Sequence, residues 1–301
     1  MAPLLSIIVP LYNKQNSVLK TIYSVLTQDY DDYELIIVDD GSTDDSVSVV
    51  VSIEDKRLHI FKKENGGPSS ARNYGVKKSR GEWVLFLDAD DILEMGALKQ
   101  VVSDIKKHKY ADVLCYNLFL KEDGEKWLYI RSHKKGYLFV PFLDWYQQRI
   151  YPRTGNMVCR RSVLLEEPYR EDYKRWEDGE NTFRLMRKYR FYAVPIPLFT
   201  YCRDNIDASK PRKNVKEDFC CNLQPKGKSI LEKLAQYKLY QEACDLYPEQ
   251  VEQLYGDTFR KPSILRAIFL TNLLEKIKKK SRSLLRSVKR FLKQLYRQRL
   301  A

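Results

Sequence analysis

The chain has 301 residues, with 53 Lys plus Arg against 40 Asp plus Glu, a formal net charge of +13. The excess is local, because residues 256–301 hold 14 basic and two acidic side chains while residues 1–255 hold 39 and 38. A protein that wraps nucleic acid with its whole surface would spread its charge more widely, which argues against that class, and at 44% apolar residues the neutral body can bury a full core, which excludes disorder for most of the chain.

In chain order, residues 4–9 (Leu-Leu-Ser-Ile-Ile-Val) read as a buried strand bounded by Pro10. Val18, Ile22, Val25 and Leu26 follow at helical spacing. Residues 34–38 form a second strand that ends in Asp39-Asp40-Gly41-Ser42-Thr43-Asp44. Val47, Val50, Val51 and Ile53 suggest a helix, and Leu58 to Phe61 a third strand. The loop Asn65 to Ser70 leads into a helix over about Ala71 to Lys78. Residues 82–87 are a fourth strand ending in Asp88-Ala89-Asp90-Asp91. This alternation predicts a Rossmann-like, mostly parallel α/β sheet flanked by helices.

Residues 101–210 are less regular, with strand-like pieces at Val113–Phe119, Trp127–Ile130 and Phe191–Val194 and one helix at Asn181–Lys188. From Asn214 the pattern is helical to the end, interrupted near Pro248 and Pro262.

Ligands of such sheets bind beyond the carboxyl ends of the strands. Three of the four strands end there in Tyr12-Asn13, Asp39-Asp40 and Asp88-Ala89-Asp90, so the crevice is acidic and needs a cation before it can hold a phosphate. Asp88-x-Asp90 suits a hard divalent ion, Mn²⁺ or Mg²⁺, because alternate side chains of an extended segment point the same way. That ion would bridge to a diphosphate and neutralise it as it leaves.

Val9-Pro10-Leu11-Tyr12-Asn13, Ile37-Val38-Asp39-Asp40-Gly41-Ser42-Thr43-Asp44, Gly67-Pro68-Ser69-Ser70-Ala71-Arg72-Asn73-Tyr74-Gly75 and Phe86-Leu87-Asp88-Ala89-Asp90-Asp91 follow one another within the first 91 residues. Together they resemble the donor half of family 2 glycosyltransferases. The resemblance implies a GT-A fold and a nucleotide-sugar donor, with uridine diphosphate the expected carrier. Pro10 and Tyr12, beside Asn13, would line the base pocket, and Asp39 or Asp40 would hydrogen-bond base or ribose. Arg72 would sit near the donor, and Asp88, Ala89 and Asp90 would hold sugar, ribose and metal.

Trp176-Glu177-Asp178-Gly179-Glu180 looks like the family's Glu-Asp signature at a helix start, which implies Asp178 as the base that deprotonates the acceptor hydroxyl. Glu177 and Glu180 stand as alternatives, and an acidic helix cap would need the same residues. One base without a nucleophile means direct displacement with inversion, as the resemblance also implies. The alternatives are a nucleotidyltransferase, which would need a glycine-rich loop where Val9 to Lys14 has no glycine, and an inactive nucleotide-sugar-binding scaffold.

The expected organisation is a nucleotide-sugar-binding half at 1–100, an acceptor-binding half at 101–213 and a helical region at 214–301. Between Ile277 and Tyr296, Ile277, Leu284, Leu285, Val288, Phe291, Leu292 and Leu295 fall on one stripe, opposite a basic face. This basic amphipathic helix would lie on an anionic membrane surface, as suits a saccharide or lipid-linked saccharide acceptor. Docking on the body, on a partner protein, or on RNA or DNA are its other readings. With no apolar run of about 20 residues and no basic segment before the first apolar run, the expected place is the cytoplasmic face of the membrane. Cys115, Cys159, Cys202, Cys220, Cys221 and Cys244 show no metal spacing and read as reduced structural thiols.

Overall fold

The computed structural model describes residues 2–203 and 215–280. The chain divides into two compact units, residues 1–223 and 224–301.

The first unit is built on a ten-stranded sheet. Strands β1 (Leu5–Leu11), β2 (Tyr33–Asp39), β3 (Leu58–Lys62) and β4 (Trp83–Phe86) are parallel to one another, in spatial order β3-β2-β1-β4. Helices α1 (Val18–Leu26), α2 (Ser46–Val51) and α3 (Pro68–Lys78) connect them. Both faces of β1, β2 and β4 are covered, which is why they read as continuous apolar runs rather than as alternation.

β1 continues through Pro10, past the expected end. Leu4 and Ile8 accept hydrogen bonds from Trp83 and Leu87 on the β4 side, so Pro10, in phase with them, turns its missing N–H the same way. β4 is paired only as far as Ile8, and the absent donor therefore breaks no ladder bond. α3 begins at Pro68, three residues before the sequence suggests, with Gly67 as its cap at φ +87°. This helix lies close to the sheet at Gly75, where a Cβ would stand 2.4 Å from Ile8 Cγ2.

The remaining strands make the sheet mixed. β5 (Ile92–Leu93), β6 (Val113–Glu122), β7 (Glu125–Leu128), β8 (Gly136–Tyr137), β9 (Met157–Arg160) and β10 (Phe191–Cys202) extend it, and the main path continues β4-β9-β6-β10-β5. β9 is inserted antiparallel between β4 and β6, whereas β6 and β10 run parallel. Four apolar-rich residues without alternation left β9 invisible to pattern reading. β10 runs beyond Val194 because Pro195 and Pro197 fall at register shifts, where no ladder donor is needed. Helix α4 (Ala97–Lys107) occupies the start of the segment expected to be irregular and buries Leu98, Val101, Val102 and Ile105 at helical spacing. α5 (Pro141–Tyr146), α6 (Arg161–Glu166) and α7 (Glu177–Lys188) complete the unit. α7 starts four residues before the expected Asn181.

The second unit is helical, with α8 (Ile230–Leu246), α9 (Pro248–Phe259) and α10 (Pro262–Lys280). Pro248 and Pro262 are the first residues of their helices, which explains the two interruptions in the pattern. Tyr237, Tyr240 and Phe259 pack together, and the Tyr240 hydroxyl donates to Glu252 at 2.8 Å. The predicted amphipathic helix at 277–296 lies mostly outside the described residues. Among these, no helix is long and apolar enough to cross a membrane.

Candidate active site

A cleft of about 410 Å³ opens at the carboxyl ends of β1, β2 and β4. Of the residues picked out in the sequence, Pro10, Tyr12, Asp40, Arg72, Asp88, Ala89, Asp90 and Glu177 line it. Asn13, Asp39 and Asp178 do not.

The first two strand ends build the wall where a base would lie. Tyr12 follows β1 with its ring 42% exposed, so a face is available for stacking. Asn13 takes φ 51° and clamps the neighbouring turn, accepting from the Thr43 N–H at 2.8 Å and donating to Thr43 Oγ1 at 3.2 Å. Asp39, fully buried, accepts from the Ser42 N–H through Oδ1, while its Oδ2 has no hydrogen-bond partner. Asp40 is the opposite case. Its carboxylate accepts from Lys63 Nζ at 2.6 Å and from the Gly66 and Gly67 N–H groups at 3.0 and 2.7 Å, fixing the loop before α3. Of the two, Asp40 lines the cleft, while Asp39 holds an unpartnered acceptor oxygen buried beside it among the described residues.

The third strand end carries the acidic turn. The Asp91 N–H donates to the Asp88 carbonyl, and Ser17 Oγ at the head of α1 donates to the Ala89 carbonyl at 2.9 Å, anchoring the turn. Arg72, 4% exposed and lying over the Tyr169 ring, donates from Nη2 to Asp88 and from Nη1 to Glu177, both at 2.9 Å. Burial works against the guanidinium's charge, but Asp88 and Glu177 outweigh it and raise its pKa. Burial also pushes Asp88 up, and Arg72 more than reverses this, holding it below the usual range. Asp90 is raised, first by burial and then by the Asp88 charge, although Lys14 Nζ donates to it at 2.6 Å. Asp91, 1% exposed, is raised well above the usual value by burial and by Asp88 and Asp90; it accepts from the Cys202 N–H at 3.0 Å.

At the head of α7 the three acidic residues differ. Glu177 is committed to Arg72, and its pKa is raised by burial and by Asp178. Glu180 is buried and engaged by Arg184. Asp178 makes no ion pair among the described residues; its Oδ1 accepts from the Gly179 N–H at 2.8 Å, at the positive end of the helix. Arg153 faces it electrostatically, stacked 3.9 Å from the Tyr201 ring centre.

Lys14, Asn65 and Arg153 are site residues that sequence reasoning missed. Lys14 directly follows the Tyr12-Asn13 pair, but a lysine in a polar loop reads as a solvated charge. Arg153 carries no motif, and only the chain's return through β9 brings it to the site.

Among the described residues, no three or more His, Cys, Asp or Glu side chains form a metal cage. The donor set is the Asp88 and Asp90 pair, enough for Mg²⁺ or Mn²⁺ when phosphate and water complete the coordination.

A mixed α/β sheet flanked by helices, with a cleft at the carboxyl ends of its parallel strands, is the architecture of GT-A glycosyltransferases. The model of Glycosyl transferase family 2 matches residues 6–167, and the chain belongs to that family. An uncharacterized glycosyltransferase of Haemophilus influenzae is 43% identical over 166 residues, 54% of this chain and 65% of its own. Glycosyltransferase GlyG of Streptococcus pneumoniae is 32% identical over 202 residues, 64% and 60% of the two chains. Minor teichoic acid biosynthesis protein GgaA of Bacillus subtilis is 30% identical over 200 residues, 63% and 44%. The chain thus covers less than two thirds of each of these relatives. In structure it resembles S. aureus TarS 1-349, with TM-score 0.65 and 21% identity over 84% of this chain and 77% of the other.

Proposed function

We propose that the protein transfers a sugar from a nucleotide-sugar, with uridine diphosphate as the carrier, to an acceptor hydroxyl with inversion, in the synthesis of a cell-surface polysaccharide of the teichoic acid type. The observation that carries this is the Asp88-x-Asp90 turn lining one cleft with Tyr12, and Arg72 tying the turn to the head of α7. The carrier is supported by TarS, which was crystallised with UDP-GlcNAc and with UDP. The polymer class is supported by the name of GgaA.

The base would stack on Tyr12 and donate an N–H to Asp39 Oδ2. Asp88 and Asp90 would hold Mn²⁺ or Mg²⁺, which when bound neutralises the leaving diphosphate. The acceptor oxygen attacks the anomeric carbon as the bond to the diphosphate oxygen breaks, and Asp178 takes the hydroxyl proton. Asp178 suits this better than its neighbours because Glu177 and Glu180 are already neutralised by arginines. The acceptor is a saccharide or lipid-linked saccharide, and the basic C-terminal segment would keep the enzyme at an anionic membrane surface on its cytoplasmic side.

Binding of a nucleotide-sugar panel with Mn²⁺ tests the donor. Asp178→Asn should bind the donor normally and lose about 10²–10⁴-fold in transfer. Transfer at the wild-type rate, or a product that keeps the donor's anomeric configuration, refutes the mechanism.

A further inference from the structure

Two cations are bonded to the metal-binding pair of the acidic turn, with Arg153 acting on the turn only through its field, and the two are held very differently. Arg72 is fixed: its side chain is 5% exposed and bridges Asp88 and Glu177. Lys14 is not. Its side chain is 32% exposed, and among the described residues its ammonium has one carboxylate partner, Asp90 Oδ2 at 2.6 Å.

Only the stem of Lys14 can move. The backbone is pinned at the head of α1, where the Lys14 N–H donates to Ser46 Oγ at 2.7 Å and its carbonyl accepts from the Ser17 and Val18 N–H groups. A lysine in such a place is a point charge on a flexible four-carbon arm, whose three donors need no fixed fork. Arg72 has no such freedom.

Lys14, Asp88 and Asp90 line the same cleft. A divalent ion on Asp88 and Asp90 would meet the ammonium on one of its two ligands. Two cations on one carboxylate repel, and the nearest new anion is the diphosphate that accompanies the ion.

We propose that Lys14 is an exchangeable counter-cation, which neutralises Asp90 in the donor-free protein, yields that carboxylate to the divalent ion, and then pairs with the donor's diphosphate. This rests on the donor reading above and adds to it a residue outside the motifs. Lys14 thereby weakens metal binding without donor and strengthens diphosphate binding, so that ion and donor enter together.

The test reads binding, not turnover. Mn²⁺ titrated into donor-free full-length protein and followed by electron paramagnetic resonance should bind Lys14→Met about tenfold more tightly than wild type. UDP titrated calorimetrically at saturating Mn²⁺ should bind wild type and Lys14→Arg, and bind Lys14→Met about tenfold more weakly. The arginine variant keeps the charge, so it serves as the comparison even where the methionine variant folds poorly. Equal Mn²⁺ affinity in wild type and Lys14→Met overturns the proposal, and so does UDP binding at saturating Mn²⁺ that ignores the charge at position 14. Failure of the donor reading has a separate signature: wild type then binds no UDP even with Mn²⁺, and the metal titration alone decides the role of Lys14.

Discussion

Replacing Arg72 with Met removes the charge that joins the acidic turn to the head of α7. Arg72 makes 2.9 Å bonds to Asp88 and Glu177, whose side chains are 30% and 13% exposed. Breaking a buried pair by deleting one partner costs about 3–5 kcal/mol, because the other charge stays buried and uncompensated. Water reaches part of Asp88, which reduces that cost, so the expected loss at pH 7 is about 2–4 kcal/mol. Urea unfolding followed by tryptophan fluorescence isolates the effect, since Trp83, Trp127, Trp145 and Trp176 all lie in the first unit.

The pH dependence gives the sign. Asp88 is held below the usual range in the native protein, so its contribution is present above the unfolded value and lost as pH falls through the folded one. Without Arg72, Asp88 and Glu177 both rise and take up protons sooner, so the deficit of the variant shrinks as pH falls. Adding Glu177→Leu to Arg72→Met removes a stranded carboxylate and should recover part of the stability. A loss under about 1 kcal/mol at pH 7, or a double variant less stable than the single one, refutes the argument.

Gly75→Ala brings a Cβ to 2.4 Å from Ile8 Cγ2, both buried at the contact of α3 with β1. The overpacking, about 1–3 kcal/mol, should exceed the helix-propensity gain of about 1 kcal/mol, so a lower melting temperature is expected. Glu34 is buried, and although burial pushes its pKa up, the Arg80 N–H, the Ser6 hydroxyl and the Arg80 guanidinium prevail and lower it. Glu34→Gln should therefore cost about 1.5–3 kcal/mol at pH 7, with the difference from wild type closing as pH falls through the native pKa of Glu34. Equal differences at pH 7 and pH 3 contradict that assignment. The full-length protein should sediment with anionic liposomes at low salt and be released by high salt; protein that stays in the supernatant at low salt removes the membrane reading.

Local patterning made the first half of the chain legible. Parallel strands covered on both faces must be apolar throughout, so β1, β2 and β4 appear as uninterrupted runs and the polar groups after them mark the ligand side. The second half was harder, because β9 and the far end of β10 are strands only by virtue of their neighbours. A four-residue segment has no period to detect, and prolines at register shifts imitate a loop. α4 is a different miss, since Leu98, Val101, Val102 and Ile105 were in view with a helical period.

By itself the sequence determined which residue types stand at the strand ends, that they form an acidic crevice, and that the positive charge is confined to the last 46 residues. These depend on local order along the chain. Only the tertiary structure decided how the charges are shared: Asp40 is spent on its own loop while Asp39 keeps an oxygen, Glu177 belongs to Arg72, and Lys14 is set against Asp90. Lys14 and Asp90 are 76 residues apart and Arg72 and Glu177 are 105 apart. Pairings of that kind follow from which strands lie side by side and where a buried charge finds its counter-charge, and no window along the chain contains both partners.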